Sequence, residues 1–429
     1  MLRQAISEAC RRDEAICVAA LVDELERLGI DRQAIRTQAS SLVAAVRRQR
    51  HGASGIDHLM HEFSLSSQEG VALMCLAESL LRVPDTATAD RLIRDKLGHG
   101  DWKSHLGASP SLFVNAATWG LMLTGKLVAG HPHGALGDAM TSLLTKGGEP
   151  LIRKGIDFAM RLLGEQFVMG ETIEEALARS RSNAVRGYTH SFDMLGEAAL
   201  TGADAERYHR AYETAIHAIG HASGGRGVVP GPGISVKLSA LHPRYVRSQR
   251  ARVMAELRPR LKELMQLARQ YDIGLNIDAE EADRLELSLD LLESLAADPD
   301  LAGWDGLGFV VQAYQKRAPG VIDWLIDLAR RTRRRLMIRL VKGAYWDTEI
   351  KRAQVDGMTD YPVFTRKVHS DLSYLVCAQR LLAAPAAIYP QFATHNAQTL
   401  ATVLQMACQR GIEDYEFQCL HGMGESLYD

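Results

Sequence analysis

Residues 181–429 alternate short apolar runs with longer amphipathic stretches, and no other feature restricts the fold of this chain so tightly. The runs fall at 191–195, 234–238, 274–277, 309–313, 336–341, 388–393 and 415–420. Helical periodicity occupies 251–270, 284–297, 321–331, 368–382 and 399–410 between them. Such alternation predicts parallel strands joined by right-handed crossovers. Two architectures meet that condition, a doubly wound open sheet and a (β/α)8 barrel.

The polar residues at the ends of the runs discriminate between them. Lys237 follows ISV, Asp278 and Glu280 follow LNI, and Gln312 follows FVV. Arg339 and Lys342 lie in LMIRLVKG, His395 and Asn396 follow FAT, and Gln418 and His421 lie in EFQCLHG. A doubly wound sheet gathers its ligands at one switch point, whereas a barrel brings every strand's carboxyl end to one mouth. The pattern therefore predicts an α/β chain with a (β/α)8 TIM-type barrel, preceded by an all-α region. Only seven runs are visible, and an open edge beside the seventh would leave unpaired backbone groups. The last strand and helix are expected to be missing, so that the chain is a fragment or a later segment completes the barrel.

Three segments are expected: an N-terminal helical arm over 1–50, an all-helical domain over 51–180 and the barrel over 181–429. In the arm, Leu21, Val22, Leu25 and Leu28 recur at helical spacing, with Glu24, Glu26 and Arg27 on the other face. In the second segment helices are expected at 70–82, 85–97 and 151–168, with a loop region at 126–148.

Composition excludes several classes. Hydrophobic residues at 46% and charged residues at 24% are ordinary for a globular chain. Fifty Lys+Arg against 52 Asp+Glu leave a net charge of −2, so there is no global electrostatic footprint for nucleic acid and no nucleic-acid partner is expected. The six cysteines never form a CxxC pair, which suits free thiols in a reducing compartment. The start, MLRQAISEACRRDEA, has no apolar core of a secretory signal. Nowhere do about 18 uncharged apolar residues run together, so the chain is expected to be soluble or at most peripheral to a membrane.

A rim carrying Lys237, Arg339, Lys342, Asp278 and Glu280 admits two readings. Internal ion pairs could fix barrel register, because such residues are seldom buried unpaired. Alternatively the cations hold an anionic ligand, a phosphate-bearing cofactor with a carboxylate substrate. The residues alone leave a flavin and pyridoxal phosphate open, with Lys237 or Lys342 as Schiff base in the second case. The pairs His217/His221, His58/His61 and His131/His133 read as solvated faces, since no acidic third ligand is near; no metal is expected. The Gly-rich stretch 220–233 precedes a strand rather than following one, so it reads as a flexible connector and not a dinucleotide fingerprint. The first fifty residues lack the basic β-ribbon-plus-helices pattern of some DNA-binding regulators.

The ordered motifs GISVKLSALHPRY, NIDAEEADRLELSL, VVQAYQKR, RLVKGAYWDTEIKRAQ, YPVFTRK, PQFATHNAQT and FQCLHGMGESLY closely resemble the proline dehydrogenase domain of bacterial bifunctional proline utilization A proteins. The resemblance covers about residues 50–429. It implies a distorted (β/α)8 barrel that binds FAD and oxidises L-proline to Δ1-pyrroline-5-carboxylate, passing electrons to a membrane quinone. By the same resemblance Arg339 sits by flavin N5 and Gln312 at the pyrimidine side. Lys342, Gly343, Trp346, Thr394, His395, Asn396 and Gln418 complete the cofactor shell. Lys237 meets the substrate carboxylate, Tyr428, Leu420, Ala344 and Tyr345 wall the ring pocket, and Asp278 orients its neighbours. Glu197 gates the site by pairing with an arginine. The family's arginine pair for the carboxylate lies beyond Asp429, so the chain alone is expected to bind proline weakly and to be impaired. The resemblance further implies a cytoplasmic protein with peripheral inner-membrane contact, a homo-oligomer at full length, and an aldehyde dehydrogenase domain elsewhere. Two alternatives stand beside it: a pyridoxal-phosphate barrel enzyme with Lys342 as Schiff base, and a helical interaction module with an inactive barrel.

Overall fold

The structure, a computed structural model, describes residues 2–49, 88 and 167–429. Apart from Thr88, Phe167 and Val168, the helices and loop expected within 51–168, and the histidines at 58, 61, 131 and 133, lie outside the described residues. The chain divides into two compact units, Met1–Val43 with Gly170–Cys419, and Ala44–Met169 with Leu420–Asp429.

In the first unit all seven expected runs form strands: β1 Ser191–Asp193, β2 Gly233–Val236, β3 Gly274–Ile277, β4 Leu307–Gln312, β5 Leu336–Val341, β6 Ile388–Ala393 and β7 Glu416–Gln418. They pair in chain order and every pair is parallel. β3 and β4 are buried along their whole length, as strands covered on both faces must be. The outer strands β1 and β7 keep only three residues each of their longer apolar runs. Among the described residues each has a ladder partner on one side only, and after β1 the chain turns through left-handed Gly196 and Ala198.

The sheet is curled as a distorted barrel. Neighbouring strands lie about 4.8 Å apart, so β1 and β5 would be roughly 19 Å apart in a flat sheet. Arg339 of β5 nevertheless bonds Ser191 of β1 at 2.9 Å and Ser235 of β2 at 2.7 Å. An arginine side chain can do this only across the concave interior of a strongly curled sheet.

Amphipathic helices cover the outside of the sheet. The expected helical stretches appear as Arg250–Gln270, Leu285–Ala296, Ala318–Thr332, Lys367–Leu382 and Ala397–Arg410. One long helix, Gly202–Ser223, carries the pair His217/His221, which reads in the sequence as a solvated helix face of unassigned extent; it starts at a reciprocal cap between Thr201 and Asp204. It absorbs the front of the supposed connector at 220–233. Only glycine fits at position 220 of this helix, because the Tyr271 ring lies 2.1 Å from where a Cβ would be. The Tyr271 hydroxyl in turn meets His217 Nδ1 at 2.8 Å and His221 Nε2 at 3.3 Å, so this pair is engaged by a tyrosine.

The N-terminal arm comprises α1 Leu2–Glu8, α2 Glu14–Glu26 and α3 Arg32–Gln49. Ile6 is fully buried in the main core, and Leu21 packs with Phe364 and Val376. Arg380 clamps Glu24 through two bonds of 2.6 and 2.9 Å and reaches Asp323 at 2.6 Å. In the second unit, Glu425 accepts the amides of Gly422 and Gly424 beside His421. Against the effect of burial, His421 and these amides depress its carboxyl to about 2.

Candidate active site

Strand alternation puts residues i and i+2 on one face. Ser191 and Asp193 on β1, Ser235 and Lys237 at β2, and Glu416 and Gln418 on β7 thus reach the barrel interior in pairs. At their centre the guanidinium of Arg339 donates to Gln418 Oε1 at 2.7 Å, Ser235 Oγ at 2.7 Å and Ser191 Oγ at 2.9 Å. Asp278 Oδ1 lies 3.5 Å away. This planar fork serves four strands besides its own, which a lysine could not do.

Lys237 forms the second focus. Its ammonium donates to both oxygens of Asp193 at 2.8 Å and to Asp278 Oδ2 at 3.1 Å. Burial works against the charge, but the carboxylates of Asp278 and Asp193 outweigh it and hold the ammonium well above the usual lysine value. Lys237 is therefore cationic throughout the physiological range.

Beneath Arg339, Glu416 accepts from Gln418 at 2.6 Å, Gln391 at 2.9 Å and Tyr389 at 3.2 Å. Burial pushes its carboxyl up despite these bonds. The Gln391 Oε1 atom is buried and has no hydrogen-bond partner among the described residues.

A third group links the loops. Glu280, buried after β3, accepts the Ser239 amide at 3.0 Å and the Arg284 guanidinium at 2.5 Å. Its carbonyl accepts from Gln312 Nε2 at 2.9 Å, while Gln312 Oε1 accepts the Ala344 amide at 3.1 Å. Ser239 receives the amides of Ala198 through its hydroxyl and Ala199 through its carbonyl, at 3.1 and 2.9 Å. Hydrogen bonds therefore run without a break from the loop after β1 to the loop after β5. Glu197 belongs to that first loop; it is exposed and makes no ion pair with any described residue. Burial, and then the charge of Glu197, raise the Tyr345 hydroxyl above its ordinary value.

A fourth group lies at β5 and β6. Lys342 Nζ is 2.5 Å from Asp371 and 3.2 Å from Thr399 Oγ1. Asn396 caps the next helix by accepting the Thr399 amide at 2.9 Å, and its own amide donates to Thr394 Oγ1 at 3.1 Å. Thr394 is tied to β7 through its amide and the Gln418 carbonyl, and exposed His395 follows it. Gly343 has φ +145°, and a Cβ there would sit 2.4 Å from the Tyr314 ring, so the backbone passes where no side chain fits.

Lys237, Asp278, Arg339 and Gln418 thus share one cluster, Gln312 bonds Ala344, and Lys342 meets Asn396 through Thr399. Trp346 donates its indole N–H to the Phe364 carbonyl at 2.9 Å. Leu420 and Tyr428 belong to the second unit, where Leu420 is exposed and Tyr428 ends the helix Glu425–Tyr428. Ser191, Asp193, Ser235, Asp371, Gln391 and Glu416 were not foreseen.

A family model described as proline dehydrogenase matches residues 176–429. The chain belongs to the proline dehydrogenase family. The model for the proline utilization A proline dehydrogenase N-terminal domain matches residues 1–47, placing the arm in the same family. Residues 55–167 match a model described as the DNA-binding domain of proline dehydrogenase, a description that names nucleic acid where none was expected. Among curated proteins, the bifunctional protein PutA of Escherichia coli is 63% identical over all of this chain, and that of Rhizobium meliloti 60%. The chain spans about a third of the length of these relatives, 33% and 34%. A crystal structure of a Bradyrhizobium japonicum proline utilization A mutant matches 97% of this chain and 42% of its own at a TM-score of 0.71 and 48% identity. A proline dehydrogenase of Deinococcus radiodurans is 26% identical over 67% of this chain and 83% of its own length.

Proposed function

We propose that this proline dehydrogenase family member is an FAD-dependent L-proline dehydrogenase that yields Δ1-pyrroline-5-carboxylate. The arrangement of permanent cations carries the reading: Arg339 in the barrel interior and Lys237 at its rim, both joined to Asp278. FAD, when bound, would accept at N5 the hydride that leaves proline C5.

The donor set suits such a group. Gln391 Oε1 is a buried acceptor awaiting an N–H, and buried unsatisfied acceptors are rare without a reason. Gly343 and Ala344 offer bare backbone, and Arg339, Gln312, Lys342 and Thr394 offer donors from three adjacent strands. Arg339 holds a positive charge where an electron-rich ring would be stabilised. Lys237 offers its ammonium to the proline carboxylate, and that remote contact would fix the ring by positioning.

The partners in this reading are L-proline, a membrane quinone as electron acceptor, and an aldehyde dehydrogenase domain and further copies in the longer protein. These follow from family membership rather than from geometry, as does a cytoplasmic site with peripheral membrane contact. Among the described residues no helix is long and apolar enough to cross a membrane. For the barrel, balanced charge and an ion-paired interior favour an amino acid over nucleic acid as ligand. The pyridoxal alternative would require the ammonium of Lys342 to leave Asp371 and Thr399.

An absorption spectrum of the purified protein tests the proposal. It should show two flavin bands, and anaerobic L-proline should bleach them. An aldimine band, or a colourless protein, overturns it.

A further inference from the structure

We propose that Asp193 stands in for the substrate carboxylate, occupying Lys237 until a carboxylate ligand displaces it and thereby limiting how tightly that ligand binds. The inference rests on the reading of Lys237 as the cation that receives a carboxylate.

An ammonium has three N–H donors. Lys237 spends them on Asp193 Oδ1 and Oδ2, both at 2.8 Å, and on Asp278 Oδ2 at 3.1 Å. No donor remains for an incoming carboxylate, so one of the two aspartates must yield. They are not equivalent. The Asp278 side chain is 16% exposed, and its other oxygen faces Arg339 at 3.5 Å, so two cations retain it. The Asp193 side chain is 47% exposed, and among the described residues its carboxylate bonds Lys237 alone. It also ends a strand of three residues that, among the described residues, has a ladder on one side only, and it is followed by left-handed turns at Gly196 and Ala198.

Asp193 is the replaceable partner. It presents to Lys237 the same charge and the same paired oxygens that a ligand carboxylate would present. It keeps the ammonium in place and satisfied without a ligand, at the expense of ligand affinity.

The test is Asp193→Asn, which keeps the shape and removes the charge, with Lys237→Met as a companion. Calorimetric titration uses cyclopentanecarboxylate, which carries the carboxylate on a five-membered ring but has no amine to oxidise. Losing a half-exposed competing ion pair should tighten its binding about fivefold. Pyrrolidine, which lacks the carboxylate, should bind the variant and the parent alike. If Asp193→Asn binds the acid equally or more weakly while Lys237→Met loses it, the stand-in role is overturned and the reading of Lys237 survives. If Lys237→Met binds the acid unchanged, both fall. Asp193→Ser repeats the measurement should the Asn variant fold poorly.

Discussion

Arg339 and Ser191 lie four strands apart in the sheet yet meet at 2.9 Å through Nη2 and Oγ. The contact makes Arg339 both a tie across the curled sheet and a fixed charge at the proposed site. Arg339→Lys keeps the charge but cannot hold Gln418, Ser235 and Ser191 together. Turnover with L-proline should fall about a hundredfold, the scale expected when an oriented donor is lost. Steady-state kinetics beside a flavin spectrum would separate lost catalysis from lost cofactor, and unchanged turnover would remove Arg339 from the mechanism.

Glu280 ties Ser239, Arg284 and Gln312 together. Glu280→Ala strands a buried amide and a guanidinium and should cost about 1–3 kcal/mol. Glu280→Gln retains an acceptor and should cost less. Burial raises the Glu280 carboxyl above the ordinary glutamate range, outweighing Ser239 and Arg284. A folded value above the unfolded one gives stability that is full below the unfolded value and lost as pH rises through the folded value. The Gln variant cannot ionise, so its stability relative to the parent should improve as pH rises from the ordinary glutamate range, about pH 4, toward neutrality. Urea unfolding of both proteins across that range checks the sign.

The arm is held by burial as well as charge. Ile6 is wholly buried in the main core, and Ile6→Ala should cost about 2–5 kcal/mol of local stability. Hydrogen exchange should quicken in α1 first. Equal protection in both proteins would show that the ion pairs of Arg3 with Glu286 and Asp290 suffice.

The thiols should separate by burial. Cys377 is fully buried and its thiol is pushed up to about 12, so it should stay silent to a thiol reagent at neutral pH until the protein unfolds. Cys408 is exposed. Cys408→Ser should therefore remove one rapidly reacting equivalent from the native protein, whereas Cys377→Ser should remove none.

The seven strands and five of the barrel helices were legible because their signals are local: apolar runs, helical periodicity and turn residues beside them. The extent of the helix Gly202–Ser223 went unassigned, although His217 and His221 read as a helix face, because the glycines from 220 onward read as a connector; the packing of Gly220 under Tyr271 is set by a residue far along the chain. Site residues directly after an apolar run, such as Lys237, Asp278 and Gln312, stood out. Those two positions earlier, such as Ser191, Ser235 and Glu416, did not. The two-residue spacing in Ser191/Asp193, Ser235/Lys237 and Glu416/Gln418 could have revealed them, although only the curl of the sheet says which face is interior.

By itself the sequence determined which segments become strands and helices, their parallel order and the chemical groups at the strand ends, because each depends on neighbours within a few residues. Tertiary structure alone decided that Asp193 takes Lys237, that Asp371 takes Lys342 and that Arg339 reaches Ser191. Each partnership joins residues distant in the chain, and hydrogen bonds and ion pairs form only within a few ångströms. That closeness is created by the register and curvature of all seven strands together.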